Sequence, residues 1–304
     1  ILTYTNQFGD HNLTVLLGQG SYVDNIGGGL GATLFGLPVT NYKDASFNFD
    51  IPQSDRSSYT YDSTHHKLNS LFSRVNYDYK YLFTGIIRRD GSTRFGGNNK
   101  FGVFPSFNLG WVLTKEDFWK ESKVLNTFKI RGGYGVVGND AIPDFRYLSL
   151  VEGGYNYSFG NAGAITTGYA NLTLDNPDLR WEETSQANVG FESKLFNDIS
   201  LTVDLYKKST KGILRPINIP GYVGVTASPI GNVADMDNKG IEVELGYKKT
   251  FGDFNFSANG NVAYLENKVT YVAADSNYLV GDASFQSMGA VTRTQVGQSY
   301  NSFY

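Results

Sequence analysis

No cysteine occurs anywhere in the 304 residues. That removes a disulfide framework and any Cys-based zinc site. Proline is sparse, at eight, while tryptophan is held to three and methionine to two. No stretch approaches the ~18 consecutive apolar residues of a membrane-crossing helix, so a bilayer could be crossed only by strands. Nor does one sign of charge dominate, since 26 basic residues stand against 29 acidic ones for a net charge of −3. No basic footprint for nucleic acid is present. A chain of this length holds either two average soluble domains or one large all-β unit.

What the chain has in abundance is glycine and aromatic residues, with 35 Gly, 21 Tyr and 21 Phe. They fall into a period-two pattern. Phe254, Phe256, Ala258, Gly260, Val262 and Tyr264 alternate with Asn255, Ser257, Asn259 and Asn261, and Ala263 is the one small residue on the polar side. Successive side chains of a strand point to opposite faces, and a tilted strand crosses a bilayer in ~9–11 residues. The polar side here carries amides and hydroxyls rather than the Lys and Glu of a solvated sheet. Similar alternation predicts strands over 1–8, 11–22, 67–79, 81–90, 101–113, 126–137, 184–196, 198–212, 238–250 and 253–266, with a weaker one near 290–300. Facing is ambiguous in 81–90, where Tyr81, Leu82 and Phe83 are all apolar, and Phe104 breaks the pattern of its strand.

The connections alternate in length. Gly9-Asp10, Lys80, Asn197-Asp198 and Gly252-Asp253 read as minimal hairpin turns. The segments 23–66, 138–183, 213–237 and 267–289 are long and rich in Gly, Asn, Asp and Ser. Outer-membrane barrels have short periplasmic turns and longer extracellular loops in the same alternation. One exception on the short side, residues 115–125 with Glu116, Asp117, Phe118, Trp119 and Lys120, reads as a short amphipathic turn of helix. A soluble sandwich seldom needs strands of this length, or loops of more than about 40 residues on one end only. The expected fold class is all-β, part of a large transmembrane antiparallel β-barrel with about ten to eleven strands in this chain.

One segment is specific enough to carry a family resemblance. Arg88-Arg89-Asp90-Gly91-Ser92-Thr93-Arg94-Phe95-Gly96 is followed by Asn98-Asn99-Lys100-Phe101-Gly102 and then by Phe104-Pro105-Ser106-Phe107-Asn108-Leu109-Gly110-Trp111. Arg131-Gly132-Gly133-Tyr134-Gly135 with Gly138-Asn139, Asn176-Pro177-Asp178-Leu179-Arg180-Trp181-Glu182, Asn238-Lys239-Gly240-Ile241-Glu242 and Thr292-Arg293-Thr294 with Gly297 and Ser302-Phe303-Tyr304 come after it in order. Together these resemble the SusC/RagA family of TonB-dependent outer-membrane transporters of Bacteroidota. The resemblance implies a barrel of about 22 strands with a plugged lumen. It implies a multi-pass outer-membrane protein, not an enzyme, that imports glycans, oligosaccharides or peptides. Its partners would be a SusD-like surface lipoprotein, membrane lipid and, through an N-terminal part, the TonB complex. Residues 1–304 are then expected to be the middle-to-late part of the barrel, with the plug, the TonB-contacting segment and the final strands outside them. The start at Ile1, without Met or a signal-peptide pattern, agrees with that expectation. A passive porin or adhesin barrel and an outer-membrane hydrolase are the alternatives.

Other motifs weigh less. Gly27 to Ala32 contains a G-x-G-x-x-A match, but no strand precedes it and no helix follows, so a loop is expected. Asp235 to Gly240 begins like a calcium loop, yet Lys239 and Gly246 stand where ligands are needed. No cofactor is expected, and a nonstandard surface calcium ion is left open by the oxygen ligands nearby. His65 and His66 are adjacent, face opposite ways in a strand, and read as a loop end. The carboxylates Asp175, Asp178, Glu182 and Glu183 read as a loop and strand entry rather than a glycosidase pair. No catalytic residue is singled out. In the segment 153–170, Tyr155, Tyr157 and Phe159 are the candidate ligand- or partner-contacting residues, because aromatic rings stack on sugars and anchor interfaces.

Overall fold

A computed structural model of the chain describes residues 1–24, 27–62, 65–160, 163–217, 219–225, 227–274, 277–281, 283–286 and 289–304. Ten strands form one antiparallel sheet, each paired with the next: β1 Leu2–Phe8, β2 His11–Asp24, β3 His66–Asp78, β4 Tyr81–Ser92, β5 Phe101–Val112, β6 Leu125–Asn139, β7 Glu182–Leu195, β8 Ile199–Pro216, β9 Ile230–Phe251 and β10 Phe254–Val272. Among the described residues no helix is long and apolar enough to cross a membrane.

Register sorts the two faces. Tyr77, Phe83, Leu109, Gly132, Val189, Leu205, Ile241 and Tyr264 are consecutive cross-strand partners from β3 to β10. The row beside it runs Asp78, Leu82, Gly110, Arg131, Gly190, Asp204, Glu242 and Ala263. Across the middle of the sheet one face is thus apolar and the other carries the charges, while toward the long-loop end Arg89, Lys207, Lys239 and Glu266 stand on the apolar side. In the lone chain the apolar face is bare, with Val189 at 53% exposure and Val262 at 68%. So wide an apolar surface is not sustained against water. The ambiguous β4 resolves with Tyr81 and Phe83 on this apolar face, opposite Trp111 and Leu109, and Leu82 on the other.

At one end the strands are joined tightly. Gly9 and Gly252 open their two-residue turns at φ 60°, a conformation Gly adopts without penalty. Phe196 and Asn197 both have positive φ in the turn before β8. At the other end lie the long connections, which carry their own small hairpins. Gly28–Leu34 pairs with Arg56–Asp62, and Leu150–Gly153 with Tyr169–Thr173. The Gly-rich motif at 27–32 is therefore largely strand rather than a loop.

Three strands outrun the alternation that announced them. β8, β9 and β10 are 18, 22 and 19 residues long, so the connection expected over 213–237 narrows to 217–229. A bulge at Gly212 (φ 64°), whose N–H donates to Asp235 Oδ1 at 2.7 Å, shifts the β8–β9 register. Beyond it Ile213, Ala234, Val269 and Val272 form a buried cluster with Met236, Leu279 and Tyr300. The otherwise polar face of the strands is locally buried there by apolar side chains, and period-two polarity has no reason to persist. The weak strand expected near 290–300 is Thr292–Gln295. It joins Tyr278–Val280 and Ser302–Phe303 in a separate three-stranded sheet, with Thr292 and Thr294 buried.

The segment expected to form a turn of helix over 115–125 is not helical: a 3-10 turn, Leu113–Lys115, ends as the segment begins, and a single turn closed by the Trp119 N–H on the Glu116 carbonyl follows. Side-chain bonds compete with helix continuation, since Glu116 accepts from Trp111 Nε1 at 2.9 Å and Ser122 Oγ accepts from the N–H groups of Val124 and Leu125.

Candidate functional site

The charged face carries a bridge across three strands. Arg131 of β6 stands opposite Gly190 of β7, which stands opposite Asp204 of β8. Arg131 Nη2 reaches Asp204 Oδ2 at 2.5 Å, and its Nε lies 2.8 Å from Glu192 Oε1. Gly190 makes that reach possible, because a Cβ there would collide with Asp204 Oδ1 and the Val203 carbonyl. Lys129 adds a second cation at 3.4 Å from Glu192. Asp204 Oδ1 has no hydrogen-bond partner among the described residues. Glu242, opposite Asp204, and Glu244, opposite Thr202, are exposed on the same face. The result is a polar wall with spare acceptors, and the pattern of isolated polar residues in the sequence did not single out this network.

A second constellation sits at the long-loop end. Arg88 grips both oxygens of Asp90 at 2.8 and 2.7 Å and donates to Ser70 Oγ at 2.9 Å. Ser92 Oγ donates to Asp140 Oδ2 at 2.7 Å, and Arg94 donates to the Asp140 carbonyl and to Asp144 Oδ1 at 3.1 and 3.3 Å. His66 is not a loop end. It begins β3, is buried, and places Nε2 3.4 Å from Asp140 Oδ2. Beneath these pairs Phe95, Phe104, Ile142, Leu179 and Trp181 form a buried core. Trp181 packs on Phe95 and Phe104 with ring centroids 5.0 and 5.3 Å apart. Phe104 broke its strand's alternation because the charged face is locally dry here. The motif residues thus tie loops to the rim. Asn99 donates to the Asp178 carbonyl, Asn176 to that of Ile230, and Asn232 to those of Arg180 and Gly212.

The other sequence-level candidates disperse. Asp235 and Asp237 lie in β9, where Asp237 accepts from Ser209 and pairs with Lys207 at 3.0 Å. Glu182 accepts from Asn139 Nδ2 and the Leu214 N–H. Among the described residues no group of three or more His, Cys, Asp or Glu is gathered to hold a metal ion.

Tyr157 and Phe159 lie on one arm of a small hairpin, Tyr157–Phe159 against Ala164–Thr166, at the tip of the 140–181 connection. Their rings meet edge to face at 4.9 Å, and both side chains are exposed, at 64% and 61%. Tyr155 stands apart from that pair, its hydroxyl donating to Glu152 Oε2 at 3.4 Å. Sequence reasoning located these rings, and the structure brings two of the three together.

A two-faced antiparallel wall, apolar outside and charged inside, with tight turns at one end and tied loops at the other, defines a transmembrane β-barrel protein. Residues 2–300 match the family described as TonB dependent receptor-like, beta-barrel, and the chain belongs to that family, in its SusC/RagA group of outer-membrane proteins. A TonB-dependent receptor of Formosa agariphila is 39% identical over 65% of this chain and 19% of its own length. The TonB-dependent receptor SusC of Bacteroides thetaiotaomicron is 35% identical over 61% of this chain and 19% of its own length. Among solved structures, the RagAB peptide importer in its closed-closed state superposes with a TM-score of 0.77 and 25% identity, over 99% of this chain and 32% of that one. The chain therefore spans about a fifth of the length of these two curated relatives.

Proposed function

We propose that this chain is part of the wall and the outer loops of a TonB-dependent importer of glycans, oligosaccharides or peptides, and that it catalyses no reaction. The observation that carries the reading is the division of labour between its ends. Tight turns close one end, while at the other the buried Trp181 core and the Arg88–Asp90 and Arg94–Asp144 pairs hold the loop bases rigid and leave their tips exposed. Binding function commonly sits on loops carried by a rigid scaffold. Similarity to SusC and to a peptide importer supports solute uptake with a SusD-like surface lipoprotein as partner, and energy from TonB through an N-terminal part. The inner wall, with the exposed carboxylates of Glu242 and Glu244 beside Asp204, would hold a plug by charge. Tyr157 and Phe159 would stack on a sugar ring or anchor the partner.

The test uses the full-length protein in cells. Shortening residues 153–170 is expected to weaken uptake or lipoprotein co-purification while a heat-resistant barrel still assembles. A Cys placed at Ser158 is expected to label from outside, and one at Asn197 to stay protected. Labelling at Asn197 with protection at Ser158 would invert the topology and overturn the reading.

A further inference from the structure

Four of the five connections at the tight end are minimal, and the fifth is not. Residues 113–124 make ring contacts with the apolar face of the wall, through Phe118 and Trp119. The anchor is Glu116, which accepts from Trp111 Nε1 and lies 3.5 Å from Lys80 Nζ. Trp111 and its neighbour Tyr81 belong to the apolar face, opposite Ile130 and each other. Phe118 then sets its edge on Trp111 at 6.4 Å, and Trp119 stacks on Phe128, itself on the apolar face, at 6.4 Å. Even so, Phe118 is left 66% exposed and Val124 49%. Lys115, Lys120 and Lys123 are exposed around these rings and have no ion-pair partner among the described residues, whereas Lys80 is occupied by Glu116 and Asp117.

Aromatic rings with one wet edge partition to the headgroup level of a bilayer, and lysines near an anionic surface add attraction for phosphates. We propose that residues 113–124 are an interfacial foot on the periplasmic leaflet, in which Phe118 and Trp119 enter the headgroup–acyl boundary and Lys115, Lys120 and Lys123 bind phosphates of anionic phospholipids. The occupant is lipid because the foot is continuous with the lipid-facing wall and its unpaired charge is net positive, three lysines against the exposed Glu121. The inference rests on the barrel and sidedness proposed above.

The full-length protein, spin-labelled in turn at Phe118→Cys, Asn197→Cys and Val203→Cys, is reconstituted into phosphatidylcholine vesicles with and without phosphatidylglycerol. Label accessibility to oxygen and to a nickel complex is then compared. Position 118 is expected to favour oxygen, as 203 does, while 197 favours nickel. The K115Q/K120Q/K123Q variant is expected to lose phosphatidylglycerol affinity by roughly five-fold per lysine, with a salt-dependent signal. A water-exposed label at 118 beside a lipid-exposed label at 203 overturns the foot while leaving the barrel intact. Water exposure at both positions overturns the barrel reading itself. Phosphatidylglycerol retention unchanged by the triple substitution overturns the headgroup contact.

Discussion

Placing an arginine on each face of β8 tests the assignment of the wall directly. Val203 lies four residues beyond Ile199, where the strand leaves its turn. At ~3.3 Å per residue this is about 13 Å along the strand, and a tilt of about 40° makes it about 10 Å of height in an apolar band about 25 Å tall. Val203 is flanked by Phe191 and Val243, so a guanidinium there meets lipid and apolar side chains. Its expected cost is about 2–3 kcal/mol, a little below the midplane maximum. Thr202, one residue away, faces Glu192 and Glu244 on the charged side. Thr202→Arg finds carboxylates within reach and is expected to stay within about 0.5 kcal/mol of the parent. Urea unfolding of the full-length protein in vesicles, paired with heat-modifiability on gels, reads both variants. A Val203→Arg protein as stable as the parent, together with a Thr202→Arg protein that fails to assemble, would refute the facing.

Trp181→Ala opens the rim core and is expected to cost about 3–5 kcal/mol locally; hydrogen exchange should rise in 93–100 and 140–147, whose loops it holds, and unchanged exchange there would count against the core. Arg131→Met strands the Asp204 carboxylate and is expected to cost about 2 kcal/mol, since hydrogen bonds to charged groups are worth about 1.5–3. Adding Asp204→Asn should recover most of that loss, and simple additivity of the two losses would argue against the bridge. The Glu116 carboxyl is held below its ordinary value of 4.5, chiefly by the hydrogen bond from Trp111, then by Tyr81 and Lys80, against the cost of partial burial. A carboxyl with a lowered folded value stabilises above its unfolded value and loses that contribution as pH falls through the folded one. The protection of the 113–124 amides, taken relative to the pH-dependent intrinsic exchange rate, should therefore be constant from about pH 7 to pH 5 and fall below 4.5, and protection already lost between 7 and 5 would remove Glu116 as the anchor.

Much of the wall was readable before the structure because a membrane strand has only two faces and only one solvent on each. Val189, Phe191, Leu201, Val203 and Leu205 announce their side by parity alone, and register places them together. Parity fails wherever the inner face is dry. Phe104 looked like an error and is a core residue; His66 looked like a loop end and is a buried strand residue. The same loss of contrast hid the outer reaches of β8 and β9 beyond Gly212. The Arg131 bridge was invisible for another reason, since its partner Asp204 is 73 residues away and the enabling feature is a missing side chain at Gly190. The resemblance motifs were conspicuous in sequence, but their work is to fasten loops. The hairpin rings of Tyr157 and Phe159 were located, while their ligand is a matter of chemistry that pattern does not encode.

The order of strands in the sheet has a consequence for how the wall comes into being. Every one of the ten pairs with its sequence neighbour, so each loop to be closed is independent of the others and the sheet can grow hairpin by hairpin, at low entropic cost per step. The rim core is different. It draws Leu68, Phe95, Phe104, Ile142, Trp181, Leu214 and Ile230 from seven separate parts of that series, and it exists only when all of them have arrived. It is a completion signal written in packing. Interactions that form after the rate-limiting step act by slowing unfolding, so substitutions in a rim completed last are expected to shorten the life of an assembled wall while leaving its rate of assembly unchanged.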